Sequence, residues 1–266
     1  MMKLLVFVII CCCLLLYLKK TKTQTRIPKI VYVFWEGKSN LLVDICLSSL
    51  YKMNPTWKIV VLNSSNIQKT KGYESLGVRH KSDWARVSKL ESTGGVWIDI
   101  TCIHRYPLES WVNLDSFKLQ GFSFKGDSNL MENWAFAVPP KFPLMTAWKY
   151  EYKHAIRIGF EKYNHLYSNK TPKILINWLP YLTQHQSLHI ARLKTPKCQI
   201  HLVPCNDPLH GPLYPAFECN FDANTLINYI YYKNLHYIPF IKLSTSDFNN
   251  HINDERLLQI QNNLLN

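Results

Sequence analysis

The sequence of this 266-residue chain lacks several motifs that identify common enzyme classes. It has no G-x-S-x-G motif and no P-loop motif, so neither a hydrolase of the nucleophile-elbow type nor a P-loop NTPase is expected. It has no C-x-x-C pair, which argues against a structural zinc site. It also lacks internal repeats and low-complexity linkers, so we predict one globular domain over residues 30–266.

Acidic residues are scarce in this chain. Eighteen Asp and Glu accompany 31 Lys and Arg, giving a formal net charge of +13. Five of the basic residues lie in the first 26, which leaves 26 basic against 18 acidic residues in the rest. That balance suits an anionic ligand such as a nucleotide diphosphate, or an anionic membrane surface. We do not expect nucleic acid as a partner, because no basic helix, RNP motif or zinc-finger spacing is present.

The N-terminal segment is the longest apolar run. Residues 4–18 are unbroken by a charge, although fifteen residues is short of the roughly 17–25 that span a bilayer. Because no small-x-small cleavage site follows, we predict a single-pass signal-anchor at residues 1–20 and a basic linker at 21–29. A cleaved signal peptide and a peripheral hydrophobic tail are the alternatives. The positive-inside rule favours a cytosolic domain, whereas a Golgi-like type II anchor would place it in the Golgi or ER lumen.

Short apolar runs alternate with helical patterns through the first half of the domain. This alternation predicts an α/β fold with a mostly parallel central sheet. We expect strands at 30–34, 58–62 and 96–98, and further strands within 117–138 that include 134–138. We expect helices at 43–53, 144–163, 172–190 (interrupted by Pro180) and 222–232. The proline-rich chain beyond residue 195 is expected to be irregular up to that last helix.

The segment at residues 81–101, KSDWARVSKLESTGGVWIDIT, predicts a further helix followed by a strand. Trp84, Val87 and Leu90 form an apolar stripe, Ser82 is suited to cap the helix start, and the Gly pair at 94–95 ends it. Asp99 then follows a buried strand. In open α/β sheets ligands bind beyond the carboxyl ends of the strands, so this carboxylate is well placed to hold a metal or a sugar.

The same segment resembles the SDxxRxxxLxxxGGxxxD core of the capsular polysaccharide synthesis family of glycosyltransferases, which is related to the Och1-like mannosyltransferases and the glucosylating clostridial toxins. Four further segments across residues 27–245 resemble segments of the same family and occur in the same order: IPKIVYVFWEG, CLSSLYKMNPTWKIVVLN, ENWAFAV and PFIKLS. The resemblance implies a GT-A-like nucleotide-sugar-binding fold. It implies a hexosyltransferase-like enzyme that moves a sugar from a nucleotide-diphosphate-sugar donor to a glycan or glycolipid acceptor in polysaccharide or surface glycan synthesis.

The resemblance also implies roles for individual residues. Asp99 and Arg86 are the expected catalytic residues. The expected donor-binding residues are Trp35, which would stack on the base, with Asp83, Arg86, Gly94, Gly95, Glu132 and Asn133.

The resemblance implies a divalent cation, Mn²⁺ or Mg²⁺, held by Asp99, Thr101 and His210. Thr101 departs from related enzymes that carry a second Asp there, and a neutral hydroxyl is a weaker cation ligand than a carboxylate. The chemistry implied is retention of anomeric configuration. Because no nucleophile stands out, front-side displacement is the expected route. Two alternatives stay open: a catalytically degenerate glycan-binding or scaffold protein, and a basic membrane-surface protein that binds anionic lipid or polyanion.

Overall fold

The computed structural model of the chain describes residues 26–232 and 237–243, together with residues 255, 256, 258, 259 and 262. Within this part, no helix has the length and apolar character that a membrane crossing requires. The predicted anchor at residues 1–20 lies outside the described residues and stays a prediction.

A six-stranded sheet forms the centre of the fold. Its strands are β1 (Ile30–Phe34), β2 (Lys58–Leu62), β3 (Gly95–Ile98), β5 (Leu119–Phe124), β6 (Asp127–Val138) and β7 (Ile200–Pro204), in the order β2-β1-β3-β6-β5-β7. Neighbours are parallel except where β6 pairs with β3 and with β5. Five strands therefore run in one direction, which confirms the prediction of an α/β fold with a mostly parallel central sheet.

Helices cover both faces of this sheet. They are α1 (Leu41–Met53), α2 (Val78–Thr93), α3 (Pro143–Ile158), α4 (Phe160–Leu166), α5 (Lys173–Ile176), α6 (Thr183–Lys194), α7 (Tyr214–Glu218) and α8 (Ala223–Tyr232). Side chains alternate between the faces along each strand. Tyr32 and Trp97 accordingly pack with apolar residues of α2, α3 and α6, while Val31 and Val96 pack with residues of α1.

The first three strands form where the sequence predicts them. Strands β1 and β2 have the expected bounds, and β3 begins one residue earlier than expected, at Gly95. Helix α1 starts two residues early because the Asn40 side chain accepts a hydrogen bond from the Val43 amide and caps it. The predicted cap of the next helix is wrong: α2 begins at Val78 after Gly77, so Ser82 lies inside it.

The second half of the chain departs more from the prediction. The helix expected at 144–163 divides at Gly159 into α3 and α4. The one expected at 172–190 is interrupted around Pro180 as predicted, which gives α5 and α6. The region beyond residue 195 is not irregular throughout, since β7 pairs in parallel with β5. The three apolar residues among the five of β7 give too short a signal to identify it as a strand.

A second, two-stranded sheet joins the C-terminal part of the described chain to the segment after β3. Strand β4 (Cys102–His104) pairs antiparallel with β8 (Phe240–Lys242), and Cys102 lies opposite Lys242. The Leu243 amide continues the pairing by donating to the Thr101 carbonyl oxygen at 2.8 Å. This pairing brings Lys242 to the carboxyl end of β3, 143 positions along the chain from Asp99.

Candidate active site

The candidate site lies at the carboxyl edge of the parallel strands. Asp99 follows β3 directly, and its amide donates to the Trp134 carbonyl oxygen at 2.7 Å. Trp35 follows β1 at the same edge, because β1 and β3 are parallel neighbours. Its indole Nε1 donates to the Lys38 carbonyl oxygen at 3.1 Å, and the ring is half-buried. This edge is where open α/β sheets bind ligands.

Arg86 links two carboxylates that lie on different elements. Its Nη1 donates to Asp83 Oδ1 at 2.7 Å within α2, and its Nη2 donates to Asp99 Oδ1 at 2.8 Å. The Arg86 and Asp83 side chains are only 3% and 5% exposed, whereas that of Asp99 is 29% exposed. Asp99 is therefore the member of the trio that a ligand in solvent can reach.

Gln184 at the start of α6 completes the buried part of this network. Its side-chain oxygen accepts hydrogen bonds from Arg86 Nη1 and from Asn133 Nδ2, the latter at 2.6 Å. Its Nε2 donates to the Asp83 carbonyl oxygen at 2.6 Å. One amide group thus connects α2, β6 and α6, which fixes the guanidinium in position without adding a charge.

The surroundings of Asp83 favour its ionised form. Burial alone would raise the pKa of Asp83, but the hydrogen bond with His80 Nδ1, at 3.3 Å, and the charge of Arg86 lower it below its usual value. Tyr152 donates its hydroxyl to Asp83 Oδ2 at 3.4 Å. Burial and the charge of Asp83 raise the pKa of Tyr152 well above its usual value, so Tyr152 stays a donor.

Trp97 orients both partners of the Arg86–Asp99 pair. Its indole Nε1 donates to Asp99 Oδ1 at 3.0 Å, and the Arg86 guanidinium carbon lies 4.8 Å from the centre of its ring. Because Trp97 is fully buried on β3, this contact holds the Asp99 carboxylate at a defined angle. The second oxygen, Oδ2, is left facing Lys242.

Lys242 brings a second cation to Asp99. Its ammonium Nζ lies 3.7 Å from Asp99 Oδ2 and donates to Thr101 Oγ1 at 3.0 Å and to the Leu243 carbonyl oxygen at 2.6 Å. The Thr101 hydroxyl in turn donates to the same carbonyl oxygen at 2.9 Å. Thr101 therefore belongs to the site through Lys242.

In the described structure His210 does not join Asp99 and Thr101, the other two predicted metal ligands. The polar contacts of His210 are with Asp207, whose Oδ1 lies 3.2 Å from the His210 ring, and His210 lines a cleft with Trp111 and Tyr237. Asp99 Oδ1 already accepts two hydrogen bonds, and the Thr101 hydroxyl is engaged. Among the residues that the structure describes, no cluster of three or more His, Cys, Asp or Glu side chains could hold a metal ion. These residues do not fit a divalent cation.

The two neighbouring donor-binding residues predicted from the sequence, Glu132 and Asn133 on β6, contact different residues of α6. Asn133 Nδ2 reaches the network through Gln184 and lies 3.4 Å from Asp83 Oδ1. Glu132 is buried, with its Oε2 3.8 Å from His185 Nε2. Burial, and after it the charge of Glu132, raises the pKa of Cys205 to about 12. Asn133 therefore joins the Asp83–Arg86–Asp99 network directly, and Glu132 does not.

The two predicted glycines lie at the opposite end of β3 from Asp99. Gly94 ends α2, where its amide donates to the Leu90 carbonyl oxygen, and Gly95 opens the strand. A Cβ on Gly95 would lie 2.6 Å from the Ile30 carbonyl oxygen, and its φ is +105°. Both observations explain these glycines by the tight turn and the close approach of β1.

Sequence reasoning assigned no role to Gln184, Tyr152, His80 or Lys242. Gln184 and Tyr152 carry no local motif: they reach Asp83 only because α6 and α3 pack near α2. His80 lies on α2 itself, three residues before Asp83, and that helical spacing was the available signal. Lys242 lies within PFIKLS, one of the segments that resembles the capsular family, and that segment was the available signal.

Comparison with solved structures finds glycosyltransferases of low identity. The chain is similar to the PaToxG glycosyltransferase (13% identity, TM-score 0.47, covering 91% of this chain and 87% of that one). It is also similar to a glycosyltransferase involved in glycosylation of the major capsid of PBCV-1 (12% identity, TM-score 0.42, 87% and 98%). A third is the galactosyltransferase LgtC in complex with donor and acceptor sugar analogues (11% identity, TM-score 0.46, 89% and 96%). Similarity at this level does not specify a reaction or a substrate.

Among curated proteins no sequence matches this chain. The family model described as capsular polysaccharide synthesis protein, in contrast, matches residues 14–179, more than half of the chain. The matched range contains Asp83, Arg86 and Asp99, the three side chains that converge at the sheet edge. The chain therefore belongs to the capsular polysaccharide synthesis protein family.

Proposed function

We propose that this protein is a glycosyltransferase of GT-A type that moves a sugar from a nucleotide-diphosphate-sugar donor to a glycan or glycolipid acceptor in capsular or surface glycan synthesis. The observation that carries the proposal is the Asp83–Arg86–Asp99 network at the carboxyl edge of the sheet. Family membership supports the same reaction class. A hexose as the transferred sugar is part of the proposal.

The chemistry needs a site that tolerates a strongly anionic leaving group. The bond between the anomeric carbon and the diphosphate oxygen breaks, and the diphosphate keeps the electron pair. The acceptor hydroxyl forms the new bond on the same face, which gives retention, and its proton passes to the departing diphosphate. Positive groups fixed beforehand around that diphosphate lower the barrier because they need no reorganisation.

The side chains of the site divide this work according to their exposure. Asp83 and Arg86 are buried and hold the geometry, with Gln184 and Asn133. Asp99 is 29% exposed, and its Oδ2, which lies 3.7 Å from Lys242 Nζ, accepts a hydrogen bond from a donor hydroxyl in this proposal. In this proposal Trp35, at the same edge of the sheet, stacks on the base of the nucleotide. No step in this scheme passes through a metal ion.

The position of the protein in the cell is a further part of the proposal. An anchor at residues 1–20 would hold the domain at a membrane, where a glycolipid acceptor is also found. The domain would face either the cytoplasm or the lumen of the Golgi or ER. The basic balance of the chain suits both a diphosphate and an anionic membrane surface.

A non-catalytic glycan-binding protein is the second candidate. One observation favours it. The Thr101 hydroxyl, which the resemblance implies is a cation ligand, is already hydrogen-bonded to Lys242 and to the Leu243 carbonyl oxygen. Such a protein would bind a nucleotide or glycan without turning over a donor.

A donor screen with the full chain separates the two. Nucleotide-sugars are supplied one at a time with glycan and glycolipid acceptors, and release of nucleoside diphosphate is measured. We expect turnover with at least one donor, and loss of about 100-fold or more in Asp99→Asn. Asp115→Asn is the matched control, because Asp115 is an exposed carboxylate paired with Arg26. Turnover that survives in Asp99→Asn would remove Asp99 from the mechanism, and binding without turnover would favour the second candidate.

A further inference from the structure

The ammonium group of Lys242 is surrounded by oxygen atoms at the mouth of the candidate site. Thr101 Oγ1 and the Leu243 carbonyl oxygen accept hydrogen bonds from it, and Asp99 Oδ2 lies 3.7 Å away. The Lys242 side chain is 15% exposed, so the charge is held in place while the solvent side stays accessible. A carboxylate, a hydroxyl and a backbone carbonyl are the oxygen types that a hard divalent cation would take as ligands.

Backbone pairing fixes this arrangement. Lys242 is the last residue of β8, directly opposite Cys102 of β4, and the Leu243 amide is bonded to the Thr101 carbonyl oxygen. The ammonium therefore reaches Asp99 from a strand pair and does not depend on a flexible loop. Two of its three N–H groups are taken by Thr101 and Leu243. The third is directed to no oxygen at hydrogen-bonding distance among the described residues, since 3.7 Å is too long.

A divalent cation and this ammonium cannot occupy the same oxygen set. A metal bound to Asp99 Oδ2 and Thr101 Oγ1 would lie within a few ångströms of Lys242 Nζ, and two positive charges that close repel each other strongly in a partly buried site. Asp99 Oδ1 offers no alternative, because it already accepts from Arg86 and Trp97. The chemistry of the donor set thus favours the lysine over a metal.

We propose that Lys242 is the resident cation of this site, and that its ammonium contacts the diphosphate of the donor and neutralises charge that a divalent metal ion would otherwise neutralise. This inference rests on the proposed function, since it requires a nucleotide diphosphate as ligand. It also gives Thr101 a role: a hydroxyl both accepts from the ammonium and donates to the Leu243 carbonyl oxygen, whereas an ionised carboxylate could only accept.

The first test measures binding of nucleoside diphosphates to the full chain by calorimetry, in EDTA and in Mn²⁺. We expect binding to persist in EDTA. Electron paramagnetic resonance of Mn²⁺ gives a readout independent of activity and of nucleotide: the signal of the aquo ion should be unchanged when protein is added alone.

The second test replaces Lys242. Lys242→Met keeps the apolar stem and removes the charge, and it should weaken diphosphate binding in EDTA about tenfold or more, the value of a charged hydrogen bond. Lys242→Arg, which restores the charge, should recover part of the affinity. Lys149→Met is the matched control, because Lys149 is also partly buried and paired with a carboxylate, Glu91 at 3.0 Å, on the surface of α3. Thermal unfolding of each variant verifies that the domain is folded.

The outcomes separate this inference from the proposed function. Binding in EDTA that Lys242→Met loses and Lys149→Met keeps supports the inference. Binding that requires Mn²⁺, with a protein-bound Mn²⁺ signal and no loss in folded Lys242→Met, overturns it and leaves the transferase proposal standing. Failure to bind any nucleoside diphosphate under either condition overturns both.

Discussion

The guanidinium of Arg86 on helix α2 holds Asp99, the residue after strand β3, by a hydrogen bond of 2.8 Å from Nη2 to Oδ1. The same group is anchored on its own helix by Asp83, so the position of Asp99 is tied to the packing of α2 on the sheet. Because the Arg86 side chain is almost fully buried, the charge of one carboxylate is balanced inside the protein, and Asp99 keeps its Oδ2 for a ligand.

Arg86→Lys should therefore disable the site while keeping its charge. A lysine has one nitrogen and cannot reach both carboxylates and Gln184 in the fixed geometry of the guanidinium. We expect transfer to fall about 100-fold or more, and the free energy of unfolding to fall by about 3 kcal/mol, as for other broken buried ion pairs. Donor turnover and denaturant unfolding measure the two effects.

Arg79→Lys is the control for this change, because Arg79 lies on the exposed side of α2 over the ring of Tyr181. It should alter neither turnover nor stability by much. An Arg86→Lys protein as active as the wild type would show that the two-carboxylate contact is not needed.

Gln184→Leu tests the amide that connects α2, β6 and α6. The substitution removes the acceptor of Asn133 Nδ2, which is partly buried, and the donor to the Asp83 carbonyl oxygen, which is buried. We expect a loss of about 1–3 kcal/mol in the free energy of unfolding, the cost of buried polar groups left without partners. Gln199→Leu, at an exposed position, should have little effect. Equal stability of the two variants would contradict the network.

The first half of the fold was accessible from sequence because its signals are local. An apolar run followed by a turn marks β1, β2 and β3, and a stripe at helical spacing marks α2. The break between α5 and α6 was accessible from Pro180. The division at Gly159 was not, since Gly159 lies inside a continuous helical pattern and only its positive φ of 88° ends α3. Strand β7 depends on pairing with β5, which is 81 positions away and leaves no local mark.

Some residues of the candidate site could likewise be predicted from the sequence, and others could not. Asp83, Arg86 and Asp99 lie within 17 residues of sequence, and a motif can therefore identify them. Gln184 and Lys242 reach them from 98 and 143 positions away, through helix packing and through the β4–β8 pair. Such contacts are set by the tertiary fold, so a residue type and a spacing cannot predict them. For the same reason the sequence predicted Thr101 as a metal ligand, since its contact with Lys242 is visible only in the structure.

His104 should make the protein less stable as the pH falls. The ring is buried against Phe240, neither nitrogen has a hydrogen-bond partner among the described residues, and burial lowers the pKa of His104 to about 3. The unfolded chain takes up a proton near pH 6.5, whereas the folded protein does not until about pH 3. Stability is therefore lost as the pH falls between these values, by about 1 kcal/mol for each pH unit from this group.

His104→Phe removes that dependence. Denaturant unfolding at several pH values between 4 and 7 should give a shallower loss of stability for the variant than for the wild type, whatever the offset between them. Parallel curves for the two proteins would show that His104 is protonated equally in the folded and unfolded states.

Gly95→Ala tests the close approach of β3 to β1. Its Cβ would lie 2.6 Å from the Ile30 carbonyl oxygen, whereas a Cβ on Gly37, at a similar φ of +91°, would meet no atom within 4 Å. Gly37→Ala should lower the free energy of unfolding by about 1 kcal/mol, the cost of a positive φ alone. Gly95→Ala should cost clearly more, because the backbone must also shift. Equal losses in thermal or denaturant unfolding would show that β3 has room for a side chain.

The most direct measurement is sugar transfer itself, followed by mass spectrometry of the acceptor together with release of nucleoside diphosphate. For the full-length wild-type chain we predict an acceptor heavier by one sugar residue, with one nucleoside diphosphate released for each sugar transferred, and neither product above background for Asp99→Asn. A wild-type chain that binds no nucleoside diphosphate and transfers no sugar from any donor, while remaining folded, would contradict the proposal that this sheet edge is the donor site of a glycosyltransferase.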